Sequence, residues 1–322
     1  MSLRASGFSL WCDFIERDFL DSTFRELLDN NIIYGATSNP SIFANAILKS
    51  DAYKKDKNKL RDKSAKEIYE NLAFNDIKKA AKIMLPLWEK DNNDGFISIE
   101  IDPLLCDDAG KSIDEGKRIF KEVNMPNVMI KVPATESGFE VMSELYKSGI
   151  NINATLLFSK TQTKKALDSI GYHRVDSKKV VLSIFVSRFD RLLESKNKTK
   201  DSNPLLGIYN ATNCYNLIQN FDNPNIRALF ASTGVKDDFI AKDYYVSNLL
   251  FKNSINTAPL DTIRAFMQSC ANMQSCAKMI APNDNIDSYL SKFDLESMSE
   301  ELLNDGLNAF KKSFEDMLKN IS

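Results

Sequence analysis

A lysine inside an apolar run is the feature of this sequence that most directly suggests chemistry. Lys131 lies between Ile130 and Val132, in the segment 127–135. Lysine is almost never fully buried unless it has a partner or a function. Burial favours the neutral amine, which attacks carbonyl carbons to form a Schiff base. We therefore predict that Lys131 is a catalytic nucleophile, the alternative being a lysine exposed on an edge strand.

Two carboxylates lie in similar surroundings, because Asp13 and Glu100 each interrupt an apolar run. Side chains alternate between the two faces of a strand, so Glu100 shares a face with Ser98 and Asp102. The two carboxylates could shuttle protons near the lysine or form a structural ion pair with it. Burial lowers the pKa of an amine and nearby carboxylates raise it, so the sequence leaves the protonation state of such a lysine open.

Further polar residues interrupt or follow other apolar runs. Asn153 and Thr155 are two positions apart and therefore share one strand face. Ser183 interrupts the run 180–186, and Arg188 comes just after its end. Polar groups are costly to bury without partners, so we expect these side chains to serve a common site.

The segment 35–43 has the pattern of a strand end followed by a helix. Ser38 or Asn39 is predicted to be the N-cap, because both side chains accept hydrogen bonds from the free N–H groups of a first helical turn. Pro40 would then be the first helical residue. Capping explains most of this pattern, but not why so many polar groups gather at one strand end.

Short apolar runs alternate with helical patterns along the chain. There are eight such runs, and most are rich in Val, Ile, Leu or Phe, which is typical of parallel strands with both faces covered by helices. Eight such units in 322 residues favour one α/β domain over 1–322, a (βα)8 TIM-type barrel, with an open doubly wound sheet as the alternative. The predicted strands are 10–15, 32–37, 96–102, 128–132, 151–157, 180–186, 226–232 and 254–257.

Two stretches exceed what eight strand–helix units require. Residues 64–89 carry apolar side chains at helical spacing, which predicts extra helix between strands 2 and 3, kinked or ended by Pro86. Residues 302–321 form an amphipathic pattern at the C-terminus. We expect its apolar stripe to pack on the barrel rather than to bind a partner.

Composition argues against several classes of site. The formal net charge of −2 does not favour a nucleic-acid partner. His173 is the only histidine and no CxxC pair occurs among the five cysteines, so we predict no metal site and no disulfide framework. The absence of GxGxxG argues against a nucleotide cofactor. Without a long apolar run or leader, we expect neither secretion nor membrane insertion, but a reducing, cytoplasmic location.

Five segments together resemble the transaldolase family. GATSNPSIF at 35–43 resembles its first signature, and MIKVPAT at 129–135 resembles its Schiff-base lysine segment. The segments 151–159, 183–190 and 229–236 resemble later strand ends in the family's order. The resemblance covers nearly the whole chain and is strongest to the longer-chain branch of bacterial transaldolases.

The resemblance implies a barrel that transfers a dihydroxyacetone unit between sugar phosphates without metal or organic cofactor. Sedoheptulose 7-phosphate and glyceraldehyde 3-phosphate would give erythrose 4-phosphate and fructose 6-phosphate, in the non-oxidative pentose phosphate pathway. The partners it implies are small sugar phosphates, with no nucleic acid and no membrane. A homodimer is left open.

The resemblance also implies roles, position by position. Lys131 would form the Schiff base, and Asp13 would take the proton of the C4 hydroxyl during C3–C4 cleavage. Glu100 and Thr155 would manage the water that forms and breaks the imine. The residues implied in substrate binding are Asn39, Asn153 and Ser183 for the hydroxyls and Arg188 and Ser232 for the phosphate.

One position departs from the family pattern. Many members carry an arginine two residues after the serine that matches Ser232, and this chain has Gly234 there. We predict that Lys236 supplies the second phosphate charge, the alternative being a solvated loop lysine.

Two other functions compete with transaldolase. One is a Schiff-base aldolase that releases its three-carbon unit to water. The other is an inactive barrel that binds sugar phosphates, which the joint presence of Asp13, Glu100 and Lys131 argues against.

Overall fold

A computed structural model of the chain describes residues 4–171, 175, 178–197, 204–236, 238–272 and 285–321. Eight parallel strands close into a barrel in chain order, and the last strand pairs with the first. The predicted (βα)8 barrel is confirmed, and the open doubly wound alternative is wrong. The strands are β1 Ser9–Cys12, β2 Gly35–Ala36, β3 Phe96–Glu100, β4 Val128–Pro133, β5 Asn151–Leu157, β6 Val180–Phe185, β7 Ile226–Ala231 and β8 Ser254–Ala258.

Helices surround the barrel and bury the outward faces of its strands, which explains why the strand runs are apolar on both faces. Among the described residues they are α1 Arg17–Asp21, α2 Thr23–Asp29, α3 Pro40–Lys49, α4 Lys54–Lys59, α5 Ala65–Lys90, α6 Ala109–Val123, α7 Glu136–Lys147, α8 Lys160–Ile170, α9 Ser187–Asn197, α10 Leu206–Phe221, α11 Tyr244–Ser247, α12 Leu260–Asn272, α13 Ile286–Leu290 and α14 Leu295–Asn320.

The second strand is shorter than predicted. Only Gly35 and Ala36 pair with the neighbouring strands, whereas the N–H of Ile33 donates to the carbonyl of Leu27 and belongs to the turn after α2. A Cβ atom at Gly35 would lie 2.4 Å from the ring of Trp11, so only glycine lets this strand approach the indole.

The extra helix predicted over 64–89 between strands 2 and 3 is present as α5, and α3 and α4 precede it. The expectation that Pro86 could end it is wrong, because α5 continues to Lys90. Pro86 lacks only its own N–H, and the N–H of Asp91 donates to the carbonyl of Leu87, which closes the last turn.

The C-terminal helix α14 packs on the barrel, as its amphipathic pattern predicted. Leu302, Phe314 and Met317 are buried, and the partly buried Phe310 packs against the hydrophobic cluster that contains Leu302. The hydroxyl of Ser313 lies 2.8 Å from that of Ser41, which ties α14 to α3. The helix thereby reaches the carboxyl end of the barrel.

The opposite end of the barrel is closed by a buried charge cluster. Asp94 is fully buried and accepts hydrogen bonds from Arg4, Ser9 and Arg227. A cavity of about 380 Å3 lies beside this cluster. Its arginines are already paired, and active sites of such barrels lie at the other end, so we assign the cluster a structural role.

Several predictions concern residues outside these elements. His173 and Cys276 lie outside the described residues. Cys12, Cys106 and Cys214 are buried free thiols. No helix in the described part of the chain has both the length and the apolarity needed to cross a membrane.

Candidate active site

Lys131 lies at the carboxyl end of β4 with its side chain inside the barrel. It pairs in register with Glu100 on β3 and with Asn153 on β5. Lys131 and Glu100 are only 6% and 7% exposed. A closed barrel has no edge strand, so the alternative of an exposed edge lysine is wrong.

The amine of Lys131 has two oxygen neighbours. Its Nζ lies 3.0 Å from Oε1 of Glu100 and donates to the carbonyl of Ser38 over 2.7 Å. The hydroxyl of Ser38 in turn reaches Oε2 of Glu100 at 3.3 Å. Burial raises the pKa of Glu100, and the nearby ammonium of Lys131 opposes this rise. The carboxyl and the amine therefore lie within hydrogen-bond distance of each other inside the barrel.

Asp13 follows β1 directly and faces the same interior. Its N–H donates to the carbonyl of Ala258, which extends the ladder by one residue beyond the strand. Its Oδ1 accepts from the hydroxyl of Thr37 at 2.6 Å, and that hydroxyl lies 2.6 Å from the one of Thr257. Burial raises the pKa of the Asp13 carboxyl, while the charge of Lys131 and the Thr37 hydrogen bond lower it. A carboxyl with a raised pKa suits a general base that must later return its proton.

A cavity of about 650 Å3 opens above these residues at the carboxyl end of the barrel. Its volume falls in the range of small-molecule sites. Lys131 and Asp13 lie at one part of its wall, and cationic side chains line another part. The principal lining residues are Asp13, Thr37, Asn39, Lys131, Ser183, Phe185, Arg188, Arg191, Ser232, Lys236, Thr257, Leu302, Asp305 and Phe310.

A second, very small cavity lies on the other side of the lysine. Its volume is about 20 Å3, enough for one water molecule, and Glu100, Lys131 and Thr155 contribute to its lining. Oγ1 of Thr155 is buried and makes no hydrogen bond with the described residues. A register shift in β5 between Ala154 and Leu157 brackets this threonine. The geometry offers a place for a water molecule between an acid, a hydroxyl and the amine.

The residues predicted to bind substrate hydroxyls lie at two depths. Asn39 lines the large cavity and is the N-cap of α3, where its Oδ1 accepts from the N–H of Ile42. Ser183 also lines the cavity, and its hydroxyl donates to Oδ1 of Asn153 at 2.6 Å. Asn153 is fully buried, and its Nδ2 donates to the hydroxyl of Ser98. Asn39 and Ser183 therefore lie at the cavity, and the buried Asn153 is joined to Ser183 by a hydrogen bond.

The residues predicted to bind phosphate lie together at the cavity wall. Arg188 lies over the ring of Phe185 at 5.0 Å. Burial lowers the pKa of Arg188 to about 10, and the neighbouring Arg191 adds to the decrease. Ser232 and Lys236 line the same cavity. Arg191 lines this cavity too, but the sequence analysis did not predict it as a site residue. It lies one helical turn after Arg188 in α9, and this spacing could have identified it.

Comparison with known proteins agrees with this geometry. The sequence model of the family described as "Transaldolase/Fructose-6-phosphate aldolase" matches residues 10–321. The chain belongs to this family.

Proteins named transaldolase are closely similar to the chain. One from Helicobacter pylori strain Shi470 is 50% identical over 316 residues, covering 97% of this chain and 98% of the relative. One from Campylobacter jejuni strain RM1221 is 48% identical over 327 residues, covering 97% and 99%. The predicted family and the predicted enzyme class, a transaldolase, are thereby confirmed.

Three threonine and serine side chains of this transaldolase site were not assigned from the sequence. Thr37 and Ser38 lie in the segment 35–43, where capping explains most but not all of the polar residues, and Thr257 was treated only as the end of a strand. Each hydrogen bonds to a predicted catalytic residue or to a residue that does. Within the described residues, no group of three or more His, Cys, Asp or Glu could hold a metal ion.

The helix that carries the arginines of the transaldolase site is anchored by Asp190. Its carboxylate is 4% exposed, accepts from the N–H of Gly207 and from the hydroxyl of Tyr245, and has its pKa raised to about 6 by burial. A Cβ atom at Gly207 would lie 2.7 Å from Oδ2 of Asp190, so glycine permits this contact. The anchor connects α9 to the start of α10.

We expect Asp190 to make unfolding depend on pH. Its folded-state pKa of about 6 lies above the ordinary value of 3.8, so the folded form is favoured at low pH and this advantage is lost as pH rises through 6. The shift corresponds to about 3 kcal/mol. Relative to Asp190→Asn, the free energy of unfolding should fall by up to this amount between about pH 4 and pH 7. Urea unfolding of both proteins across this range measures the difference, and a constant difference would contradict the expectation.

Proposed function

We propose that this transaldolase transfers a dihydroxyacetone unit between sugar phosphates through a Schiff base on Lys131. The observation that carries the proposal is a buried amine between Glu100 and Asp13, beside a cavity with cationic side chains on its wall. Imine formation and carbon–carbon cleavage require an amine and groups that take up and return protons. Lys131 is the amine, and Asp13 and Glu100, whose pKa values burial raises, are the two carboxyls. The cations suit a phosphorylated substrate.

Imine formation would begin with a proton transfer within the buried pair. Moving the ammonium proton of Lys131 to Oε1 of Glu100, 3.0 Å away, leaves a neutral amine and a neutral acid. The amine attacks the C2 carbonyl of the ketose, and the resulting carbinolamine loses its hydroxyl as water. Glu100 supplies the proton for that step. The small cavity beside Thr155 would hold the leaving water, which returns when the imine is hydrolysed.

Cleavage would then use Asp13. Its carboxylate takes the proton of the C4 hydroxyl, the C3–C4 bond breaks, and the electron pair moves to the protonated imine, which becomes an enamine. The aldehyde product leaves. An acceptor aldehyde is attacked by C3 of the enamine, and Asp13 returns its proton to the new hydroxyl. Donation from Thr37 fixes the carboxylate in place during both steps.

Asn39, Asn153 and Ser183 would bind the hydroxyls of the retained three-carbon unit, and Asn153 accepts a hydrogen bond from Ser183 that would orient it. Arg188, Ser232 and Lys236 would bind the phosphate. Sedoheptulose 7-phosphate and fructose 6-phosphate would be the donors, and glyceraldehyde 3-phosphate and erythrose 4-phosphate the acceptors, as in the non-oxidative pentose phosphate pathway.

We propose in addition a domain organisation and a cellular location for the enzyme. Residues 1–322 would form one catalytic domain. A cytoplasmic location would keep its cysteines reduced, in agreement with the buried free thiols of Cys12, Cys106 and Cys214. A homodimer and independence from metals and organic cofactors stay predictions.

Reductive trapping tests the proposal directly. Borohydride added with fructose 6-phosphate should leave a three-carbon adduct on Lys131, because reduction fixes the dihydroxyacetone imine. Peptide mapping by mass spectrometry locates the adduct. An adduct confined to another lysine would overturn the mechanism.

The family description also names fructose-6-phosphate aldolase. An aldolase would release dihydroxyacetone to water, whereas a transaldolase holds the enamine until an acceptor arrives. Turnover of fructose 6-phosphate should therefore depend on added erythrose 4-phosphate. Equal turnover without acceptor would favour the aldolase.

We expect Arg188→Ala to weaken the binding of phosphorylated donors. Loss of a charge-assisted contact costs roughly 1.5–3 kcal/mol, which is roughly 10- to 150-fold in affinity. Lys236 is exposed, so Lys236→Ala should cost at most about 5-fold. KM values for fructose 6-phosphate, compared with those for non-phosphorylated fructose, measure the effect. An Arg188→Ala enzyme impaired equally on both substrates would indicate a structural role instead.

A further inference from the structure

We propose that Arg191 binds the substrate phosphate beside Arg188 and contributes more to that binding than the exposed Lys236 does. The proposal rests on the proposed function and deepens it, because it assigns a specificity-determining residue to the cavity. It follows from four features of the wall that α9 and the end of β7 form together. These are the helical spacing of the arginines, their free hydrogen-bond donors, the backbone conformation of Ser232, and the exposure of Lys236.

The two arginines lie on one face of α9. Arg188 and Arg191 are three positions apart, and both line the cavity. Nη2 of Arg191 lies 3.4 Å from the hydroxyl of Ser232, which itself lies 3.1 Å from the hydroxyl of Ser187. Both guanidinium groups therefore line the cavity, and that of Arg191 lies close to a pair of serine hydroxyls. A phosphate accepts several such donors at once, and the planar fork of arginine can bind it through two parallel hydrogen bonds.

The donors of this cluster are largely free. Nε of Arg191 is buried and makes no hydrogen bond with the described residues. Arg188 donates no hydrogen bond within the same part of the chain, and its guanidinium carbon lies over the ring of Phe185. Buried N–H groups in proteins are nearly always paired, so an unpaired one beside a cavity is best explained by a ligand that accepts from it.

The backbone at Ser232 supports the same assignment. Its φ is 56°, a left-handed conformation that residues other than glycine rarely adopt. The carbonyl of Ser232 accepts from the N–H of Ser187, which holds this conformation against the first turn of α9. Such strained residues concentrate at ligand sites. The N-terminus of α9 also lies here, and helix N-termini favour anions.

Lys236 fits the role less well. Its side chain is exposed, so water and salt screen its charge, whereas the two arginines are only partly exposed. Burial lowers the pKa of both arginines, because it removes part of the hydration of their charges. The carboxylate of Asp305 compensates for Arg188 in part. A bound phosphate dianion would neutralise the remaining positive charge of the two arginines.

Binding of inorganic phosphate to the full-length enzyme tests the proposal. Arg191→Gln should raise the dissociation constant of phosphate, measured by calorimetry, by roughly 10- to 150-fold. It should raise KM for fructose 6-phosphate in parallel, with kcat and borohydride trapping of dihydroxyacetone on Lys131 unchanged. Arg264→Gln is the matched control, because Arg264 lies exposed on α12 with a single neighbouring aspartate and should change none of these values.

A second variant covers the case in which Arg191→Gln does not fold. Arg191→Lys keeps the charge but loses the fork, so phosphate should bind roughly 3- to 10-fold more weakly than to the parent. Unchanged phosphate affinity in either variant would overturn the proposal, as would an equal loss on dihydroxyacetone and fructose 6-phosphate. Failure of trapping on Lys131 in the parent enzyme, with phosphate binding still dependent on Arg191, would instead refute the proposed function and leave this anion site standing.

Discussion

Lys131→Arg is expected to reduce sugar-phosphate transfer by at least about 10⁴-fold, because a guanidinium stays protonated and cannot attack a carbonyl. Arginine keeps the positive charge beside Glu100, so the variant retains an ion pair in the barrel. The loss would therefore reflect chemistry rather than an unpaired buried carboxylate. Initial rates with fructose 6-phosphate and erythrose 4-phosphate measure it.

Two comparisons make this result interpretable. Lys147→Arg makes the same exchange on the exposed face of α7 and should keep full activity. Calorimetric binding of inorganic phosphate should survive in Lys131→Arg, which would show that the cavity is intact. Activity above about one-hundredth of the parent would exclude a covalent role for Lys131, since no imine can form in the variant.

The barrel was predictable because its strands are buried on both faces. Runs such as 128–132 and 180–186 carry enough branched and aromatic residues to be recognised without any knowledge of their partners. The limits of β2 were not predictable. Its length depends on where the neighbouring strands run alongside it and on the close approach of Gly35 to Trp11, and neither is encoded locally.

The candidate site was predictable in its strand residues and less so elsewhere. Period-2 alternation told which face Asn153 and Thr155 share, but not how deep each lies. Depth in a barrel follows from the tilt and stagger of all eight strands, which one strand does not reveal. Asn153 is fully buried and accepts a hydrogen bond from Ser183, which lines the cavity.

Residues contributed by helices were the hardest to assign. Arg191 resembles any charged residue on an amphipathic helix until the helix is placed against Ser232. Thr37 was equally hard to assign, because its hydrogen bond to Asp13 joins residues 24 positions apart. Such contacts arise from tertiary packing, so residue type and spacing alone do not identify them.

Asp13→Asn is expected to separate imine formation from cleavage. Asparagine is nearly the same size and can still accept the hydrogen bond from Thr37, but it cannot take the proton of the C4 hydroxyl. Loss of a positioned general base lowers rates by about 10²- to 10⁴-fold. Because Lys131 and Glu100 are unchanged, the imine should still form. It should then persist with the whole substrate attached.

The mass of the trapped adduct distinguishes the two steps. Borohydride with fructose 6-phosphate should fix the intact six-carbon sugar phosphate on Lys131 in Asp13→Asn, and the three-carbon unit in the parent enzyme. Asp168→Asn, on the exposed side of α8, is the matched control and should give the three-carbon adduct. A three-carbon adduct formed by Asp13→Asn at the parental rate would assign the proton transfer to another group. A six-carbon adduct would show that the imine forms on Lys131 without Asp13, and that cleavage of its C3–C4 bond requires Asp13.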